Sequence, residues 1–179
     1  MSTEIHRYFE FELTDEFNLQ IAALLSRHFP SINFFGRTYY KQLPHFRLLA
    51  FSRQKIIGHV GIDYRMMLLR EAPIKVCGII DLCVDENFQG KGIGSELLLQ
   101  AERLATLGNA DFMFLFSDYG KVYLKNGYKY VSNICTWLKI DQHKSLGMGH
   151  EKIENVIMVK QIGTKPWQEG ELDLLGYLY

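Results

Sequence analysis

At 179 residues the chain fits one domain (1–179), long enough to bury roughly 70% of the surface its unfolded form exposes. Lys plus Arg and Asp plus Glu both number 20, so the formal net charge is zero, which argues against a protein built mainly to grip nucleic acid or an anionic membrane. An apolar share of 47% with 22% charged residues excludes a disordered chain, a collagen and a coiled coil. The aromatic share of 13% is high, and such rings either fill a core or line a pocket.

The three cysteines, Cys77, Cys83 and Cys135, form no CxxC pair. Cys77 and Cys83 fall in one predicted strand, which sets them about 20 Å apart, too far to bridge. Free thiols in a reducing cytoplasm are expected. The first residues, MSTEIHRYFE, carry charges and no apolar secretory stretch, and no apolar run is long enough to span a membrane.

Residues 13–29 read as a helix: Thr14 caps it, Asp15 and Glu16 suit its first turn, and Pro30 follows its end. Phe17, Ile21, Leu24, Leu25 and His28 share one stripe. Residues 31–44 form an aromatic connection whose segment 34–40 is either a lid on the core or the wall of a pocket. Residues 45–52 and 55–68 read as strands joined by a tight turn at Arg53 and Gln54. After a turn at 70–73, residues 74–84 complete an antiparallel run of three. Residues 92–107 then read as a helix closed by Gly108, and 111–117 as a strand buried on both faces. Strand 74–84, helix 92–107 and strand 111–117 make a βαβ unit with parallel strands. A short helix at 119–126, a turn at Asn126-Gly127 and a strand at 128–138 follow. Residues 141–152 read as a surface loop, and 153–159 and 172–179 as further strands.

The run Gln89-Gly90-Lys91-Gly92-Ile93-Gly94-Ser95 lies between a strand and a helix. Its glycines let the backbone approach a ligand and leave amides free at a helix start, which suits an anion such as a pyrophosphate. Lys91 adds a mobile positive charge. The bland alternative is a turn that binds nothing. A P-loop is excluded because Gly92, not Ser or Thr, follows Lys91. A dinucleotide fingerprint fits poorly, because residues 85–89 separate strand from glycines and position 95 is Ser.

The pattern Gln-x-x-Gly-x-Gly at 89–94 resembles the acyl-CoA pyrophosphate loop of the GCN5-related N-acetyltransferase (GNAT) superfamily. The preceding IIDLCVDENF resembles that family's strand leading to the loop, and VYLKNGY at 122–128 resembles its second motif. Together they cover roughly residues 74–130. The layout over 45–130 is also similar to that of the aminoglycoside 2′-N-acetyltransferases and of uncharacterised bacterial relatives. The resemblance implies an α/β GNAT-like acyl-CoA N-acyltransferase fold: a mixed central sheet with antiparallel N-terminal strands and a βαβ cofactor unit. It implies acetyl-CoA as donor, direct transfer to a primary amine of a small molecule, and compatibility with a homodimer. A non-catalytic acyl-CoA sensor, a longer acyl donor and a protein amine are the alternatives.

Residue by residue, the resemblance implies that Leu82, Cys83 and Val84 bind the pantetheine arm through their backbone. Gln89, Gly90, Lys91, Gly92, Ile93, Gly94 and Ser95 would hold the pyrophosphate, and Tyr123 would protonate the leaving thiolate. Asp118 falls near a position where relatives place an Asn on the cofactor arm; capping the short helix is its other reading. Tyr123 read blandly is a packing residue. Asp81 interrupts an apolar strand, where a carboxylate is costly unless paired or wet. It aligns with the family's base for the amine, or it pairs with an Arg such as Arg65. His59, mid-strand, is the alternative base or a packed, hydrogen-bonded histidine. Cys83 lacks an evident base and is not expected to be a nucleophile. No His, Cys, Asp or Glu cluster has metal-ligand spacing, so no metal is expected.

Overall fold

The computed structural model describes residues 3–179; Met1 and Ser2, the start of the charged N-terminal stretch, lie outside the described residues. The elements in chain order are β1 (Glu4–Phe9), α1 (Asp15–His28), β2 (Phe46–Ser52), β3 (Lys55–Leu69), β4 (Ala72–Val84) and α2 (Ile93–Leu107). They continue with β5 (Phe112–Phe116), α3 (Lys121–Lys125), β6 (Lys129–Asp141), β7 (Lys144–Gln161) and β8 (Gly170–Tyr177). Two compact units divide the chain: Met1–Asp63 with Ile79–Ala101, and Tyr64–Gly78 with Glu102–Tyr179. β3, β4 and α2 each contribute residues to both.

In the first unit, α1 begins where Thr14 Oγ1 accepts the Phe17 N–H at 3.2 Å, with Asp15 and Glu16 in the first turn and Arg27 and His28 in the last. Ile21, Leu24 and Leu25 are fully buried and pack with Phe34, Leu49, Phe51, Ile56 and Cys83. β2 pairs antiparallel with β3 through the turn at Arg53 and Gln54, where Arg53 takes a φ of 59°. β1 pairs antiparallel with β2, Ile5 opposite Ala50. That strand is absent from the sequence expectations. Its partly exposed, charged EIHRYF pattern is what an edge strand carries, and it has no clear apolar period.

Helix α2 starts on β3. A Cβ at Gly58 would sit 3.1 Å from Ala50, 3.2 Å from Leu97 and 3.3 Å from Ile93, so a glycine lets the helix seat this closely. Asp85 ties the end of β4 to its neighbours: its N–H donates to the Ile57 carbonyl at 2.8 Å, and its carboxylate takes Lys55 Nζ at 2.9 Å.

In the second unit β4 runs parallel to β5, with Val76 opposite Phe112 and Gly78 opposite Phe114. A parallel pair needs a crossover, here α2, as the βαβ pattern predicts. β5 then pairs antiparallel with β7, β7 antiparallel with β6, and β6 parallel with β8. The result is the expected mixed α/β fold. Phe112, Phe114, Ile157, Val159, Leu172 and Leu174 are buried at its centre.

Residues 141–152 are a correction. β6 runs to Asp141 and β7 starts at Lys144, with Gln142 and His143 at φ of 42° and 64° in a two-residue hairpin turn. Backbone pairing with β6 holds this part of β7, and residues 144–148 are exposed, so no apolar alternation announces it. Gly149 is buried because the Trp137 ring lies where its side chain would be. The turn expected at 70–73 is shorter: Arg70 has a φ of 57° and β4 already begins at Ala72. Among the described residues no helix is long and apolar enough to cross a membrane.

Candidate functional site

The glycine-rich turn opens directly into α2. Asp85 caps a single 3-10 turn by accepting the Asn87 N–H at 3.1 Å, and Gln89 Nε2 donates back to the Val84 carbonyl at 2.9 Å. Gly90 and Gly92 have φ of 72° and 84°, conformations that disfavour other residues. Neither has any atom within 4 Å of where a Cβ would stand, so open space lies against the backbone there. Gly92 starts the helix, its carbonyl accepting the Glu96 N–H at 3.0 Å. Gly90, Lys91 and Gly92 are exposed, whereas Ile93 is buried and anchors the turn. Lys91 Nζ lies 4.9 Å from the Phe88 ring centre and donates to the Asn87 carbonyl. A 15-residue helix that opens from a turn with free space at Gly90 and Gly92, and with Lys91 in that turn, can hold an anion.

Immediately upstream, Asp81 takes a φ of 51°, rare for a strand residue and tolerated best by Asn, Asp and glycine. Its carbonyl accepts a hydrogen bond from His59 Nδ1 at 2.9 Å. The other ring nitrogen, Nε2, lies 2.8 Å from Arg47 Nη1. A guanidinium only donates, so Nε2 accepts and the proton sits on Nδ1. Arg47 is 1% exposed; its Nη1 also donates to the Thr38 carbonyl at 2.9 Å, and its Nε donates to Glu10 Oε1 at 2.6 Å. A buried chain therefore runs from Glu10 through Arg47 and His59 to the backbone of Asp81.

The electrostatics follow from this packing. Burial and the Arg47 charge depress the His59 pKa to about 3, so the ring is neutral. Burial raises the Asp81 carboxyl to about 6, against the pull of Arg47 and Lys41. Lys41 is itself lowered by burial, with Asp81 opposing. His59, fully buried with both nitrogens engaged, is thus the hydrogen-bonded histidine of its two readings. Arg65, weighed as a partner for Asp81, lies in the second unit with its guanidinium over the Tyr177 and Tyr179 rings and donates to the Tyr177 carbonyl.

Leu82 and Val84 are half-buried, while the Cys83 side chain points into the core under α1. Burial and nearby Asp81 push the Cys83 thiol far above its ordinary pKa, which disfavours the thiolate that a nucleophile needs. Segment 34–40 splits between its two readings. Phe34 is 2% exposed and belongs to the core, whereas Phe35 is exposed and Thr38 holds Arg47.

Tyr123 and Asp118 fall in the second unit. Tyr123 sits on the five-residue α3, buried, with its ring edge-on to Tyr128 at 5.7 Å. Burial raises the Tyr128 phenol well above its usual value, with Cys77, Tyr123 and Glu102 adding to the shift. Asp118 is exposed and does not cap α3; the cap position is Gly120, without a side-chain bond. Sequence reasoning missed Arg47, Glu10, Thr38 and Lys41. Arg47 carried a signal, a lone charge inside the apolar strand HFRLLAFS, the same signal that singled out Asp81. A depression of about 890 Å³ is lined by Gln20, Ser52, Arg53, Gln54, Lys55 and Phe88, none of them a predicted site residue.

Comparison with known proteins places this geometry in context. The sequence model of the Acetyltransferase (GNAT) family matches residues 9–128. Among solved structures, the chain is similar to the GNAT family N-acetyltransferase YhbS of Escherichia coli in complex with CoA. The identity is 15% and the TM-score 0.63, over 96% of this chain and 88% of that one. It is also similar to Escherichia coli ElaA, at 13% identity and a TM-score of 0.59 over 89% of this chain and all of that one. An acetyltransferase of the GNAT family from Staphylococcus aureus Mu50 matches at 13% identity and a TM-score of 0.57, over 90% of this chain and 99% of that one.

Proposed function

The chain belongs to the acetyltransferase (GNAT) family, whose acyl donor is acetyl-CoA, and on that premise we propose that it moves an acetyl group from acetyl-CoA to a primary amine of a small molecule. The observation that carries the proposal is the turn before α2, where Gly90 and Gly92 pair positive φ with open space. Residues 1–179 act as one domain in this proposal, supported by a family match that runs through segments of both units. The three buried free thiols fit a reducing cytoplasm.

Each group then has a defined task. The amides of Gln89, Gly90, Lys91, Gly92, Ile93, Gly94 and Ser95 receive the pyrophosphate, and the backbone of Leu82, Cys83 and Val84 receives the pantetheine arm. Acetyl-CoA supplies an activated acyl carbon when bound. Asp81, raised to about 6, is mostly ionised at neutral pH yet basic enough to take the proton that the amine sheds. Tyr123, assigned by its place in the motif at 122–128, donates a proton to the departing sulfur. Asp118 is reserved for a contact to the cofactor arm.

Calorimetric titration with acetyl-CoA tests this directly, beside Gly92→Phe. The wild-type chain is expected to bind and the variant to bind at least tenfold more weakly. A folded wild-type chain that binds no acetyl-CoA ends the acyltransferase proposal. Binding then leads to an acceptor screen begun with polyamines and amino sugars.

A further inference from the structure

The chain of hydrogen bonds from Glu10 to Asp81 passes through Arg47 and His59. Arg47 is almost fully buried, and placing a guanidinium in a strand core is costly unless every donor is met. Here its partners are the Glu10 carboxylate, the Thr38 carbonyl and hydroxyl, and His59. The outcome of that expenditure is one fixed hydrogen, on His59 Nδ1, delivered to one acceptor, the Asp81 carbonyl.

That carbonyl lies in a peptide whose first residue is in the left-handed region, so the 81–82 peptide plane is rotated relative to an ordinary strand. A trans peptide sets the C=O and the following N–H on opposite sides of the plane. Holding the Asp81 carbonyl toward His59 therefore turns the Leu82 N–H away from His59. With a neutral, wrongly protonated imidazole, Nδ1 and the carbonyl would both be acceptors and would repel. Arg47 excludes that tautomer by occupying Nε2 as a donor.

We propose that Arg47 and His59 are a positioning pair for the acyl-donor site: His59 holds the Asp81 carbonyl, and its grip aims the Leu82 N–H at the acetyl carbonyl of bound acetyl-CoA. Neither residue transfers a proton, and neither touches the donor. The pair supplies a preorganised donor where charge develops, which is how backbone amides lower such barriers. This rests on strand residues 82–84 binding the donor, as in the proposed function.

The test uses the amide spectrum of the whole ¹⁵N-labelled chain with and without saturating acetyl-CoA. In the wild type the Leu82 amide is expected to shift on binding. In His59→Ala that shift is expected to vanish, with acetyl-CoA affinity down about tenfold. His59→Asn, whose side-chain amide can still donate to the Asp81 carbonyl, is expected to restore most of both, which a role in packing alone would not produce. Should His59→Ala fail to fold, Arg47→Met takes its place. It removes the donor that fixes the tautomer and is expected to reduce the Leu82 shift by at least half. A wild-type shift in His59→Ala or Arg47→Met overturns the proposal, as does an Asn variant no better than Ala. Failure of the wild type to bind acetyl-CoA is a different result and overturns the proposed function instead.

Discussion

Arg47 Nη1 and His59 Nε2 meet at 2.8 Å inside the first unit, and the contact fixes the protonation of a fully buried ring. A cation placed against an imidazole ordinarily invites competition for the proton. Here the guanidinium keeps its hydrogens, the ring stays neutral, and the single ring N–H goes to Asp81. The arrangement makes the fold sensitive to acid.

His59 has its folded pKa depressed from 6.5 to about 3. Its contribution to stability is therefore complete above pH 6.5 and is lost as the pH falls toward 3, because the unfolded chain takes up a proton the native ring refuses. The full span corresponds to at most roughly 5 kcal/mol. Asp81 works the other way: its folded pKa is raised, so the native state holds the extra proton between about pH 4 and 6 and loses stability as pH rises through that window. His59→Asn removes the first effect only. Urea midpoints at pH 4.5, 6 and 7.5 should show the wild type falling toward acid more steeply than the variant. Parallel slopes would mean that the ring titrates in the native state as it does in the unfolded chain.

Much of this architecture was legible before any coordinates. Thr14, the 3.6-residue stripe of α1 and the apolar run of β5 each carry a local signal that tertiary packing later agrees with. The glycine turn was legible for the same reason: positive φ leaves its mark as glycine. Arg47 went unread, although it bears the mark by which Asp81 was legible, a single charge in an apolar strand. Their connection was not legible, since it joins residues from three segments through His59 and depends on ring orientation, which no spacing encodes. β1 and the start of β7 went unseen because backbone pairing holds them and little apolar surface does. The turn at Gln142 and His143 uses positive φ without glycine or asparagine and so leaves no trace.

Asp81→Asn separates cost from function. Above pH 6 the wild-type carboxylate is ionised in a site that resists charge, so the variant is expected to melt higher than wild type at pH 8. At pH 4, where the wild-type carboxyl is itself protonated, the gain should shrink toward zero. Acetyl transfer, in contrast, is expected to fall about 100-fold or more. Melting curves at the two pH values check the first part. Equal shifts at both would show that Asp81 titrates normally.

Gly78 is covered by the Tyr179 ring, which lies where any side chain at position 78 would stand. Tyr179 is held there by the Arg65 guanidinium 4.4 Å from its ring centre and by edge contacts to Phe114 and Phe116. Gly78→Ala is expected to cost about 1–3 kcal/mol by overpacking. Adding Tyr179→Ala should recover part of that loss, which denaturant midpoints of the two single variants and the double variant would reveal as non-additivity. Strict additivity would mean that position 78 is intolerant for a reason other than the ring.

Tyr123→Phe keeps the ring that packs on Tyr128 and removes only the hydroxyl, so the fold should tolerate it. If Tyr123 protonates the departing sulfur, the variant binds acetyl-CoA like wild type but turns over 100-fold or more slowly, and the loss lies in kcat rather than in KM for the donor. The defect should shrink for donors whose thiol leaves more easily, because a better leaving group needs less help from an acid. A packing tyrosine predicts kcat unchanged. A non-catalytic acyl-CoA sensor predicts binding by both proteins and turnover by neither. Steady-state kinetics on the first acceptor found, run beside calorimetry on the same preparations, distinguishes the three. Equal kcat in the two proteins would remove Tyr123 from the mechanism and leave the thiolate to be protonated by water.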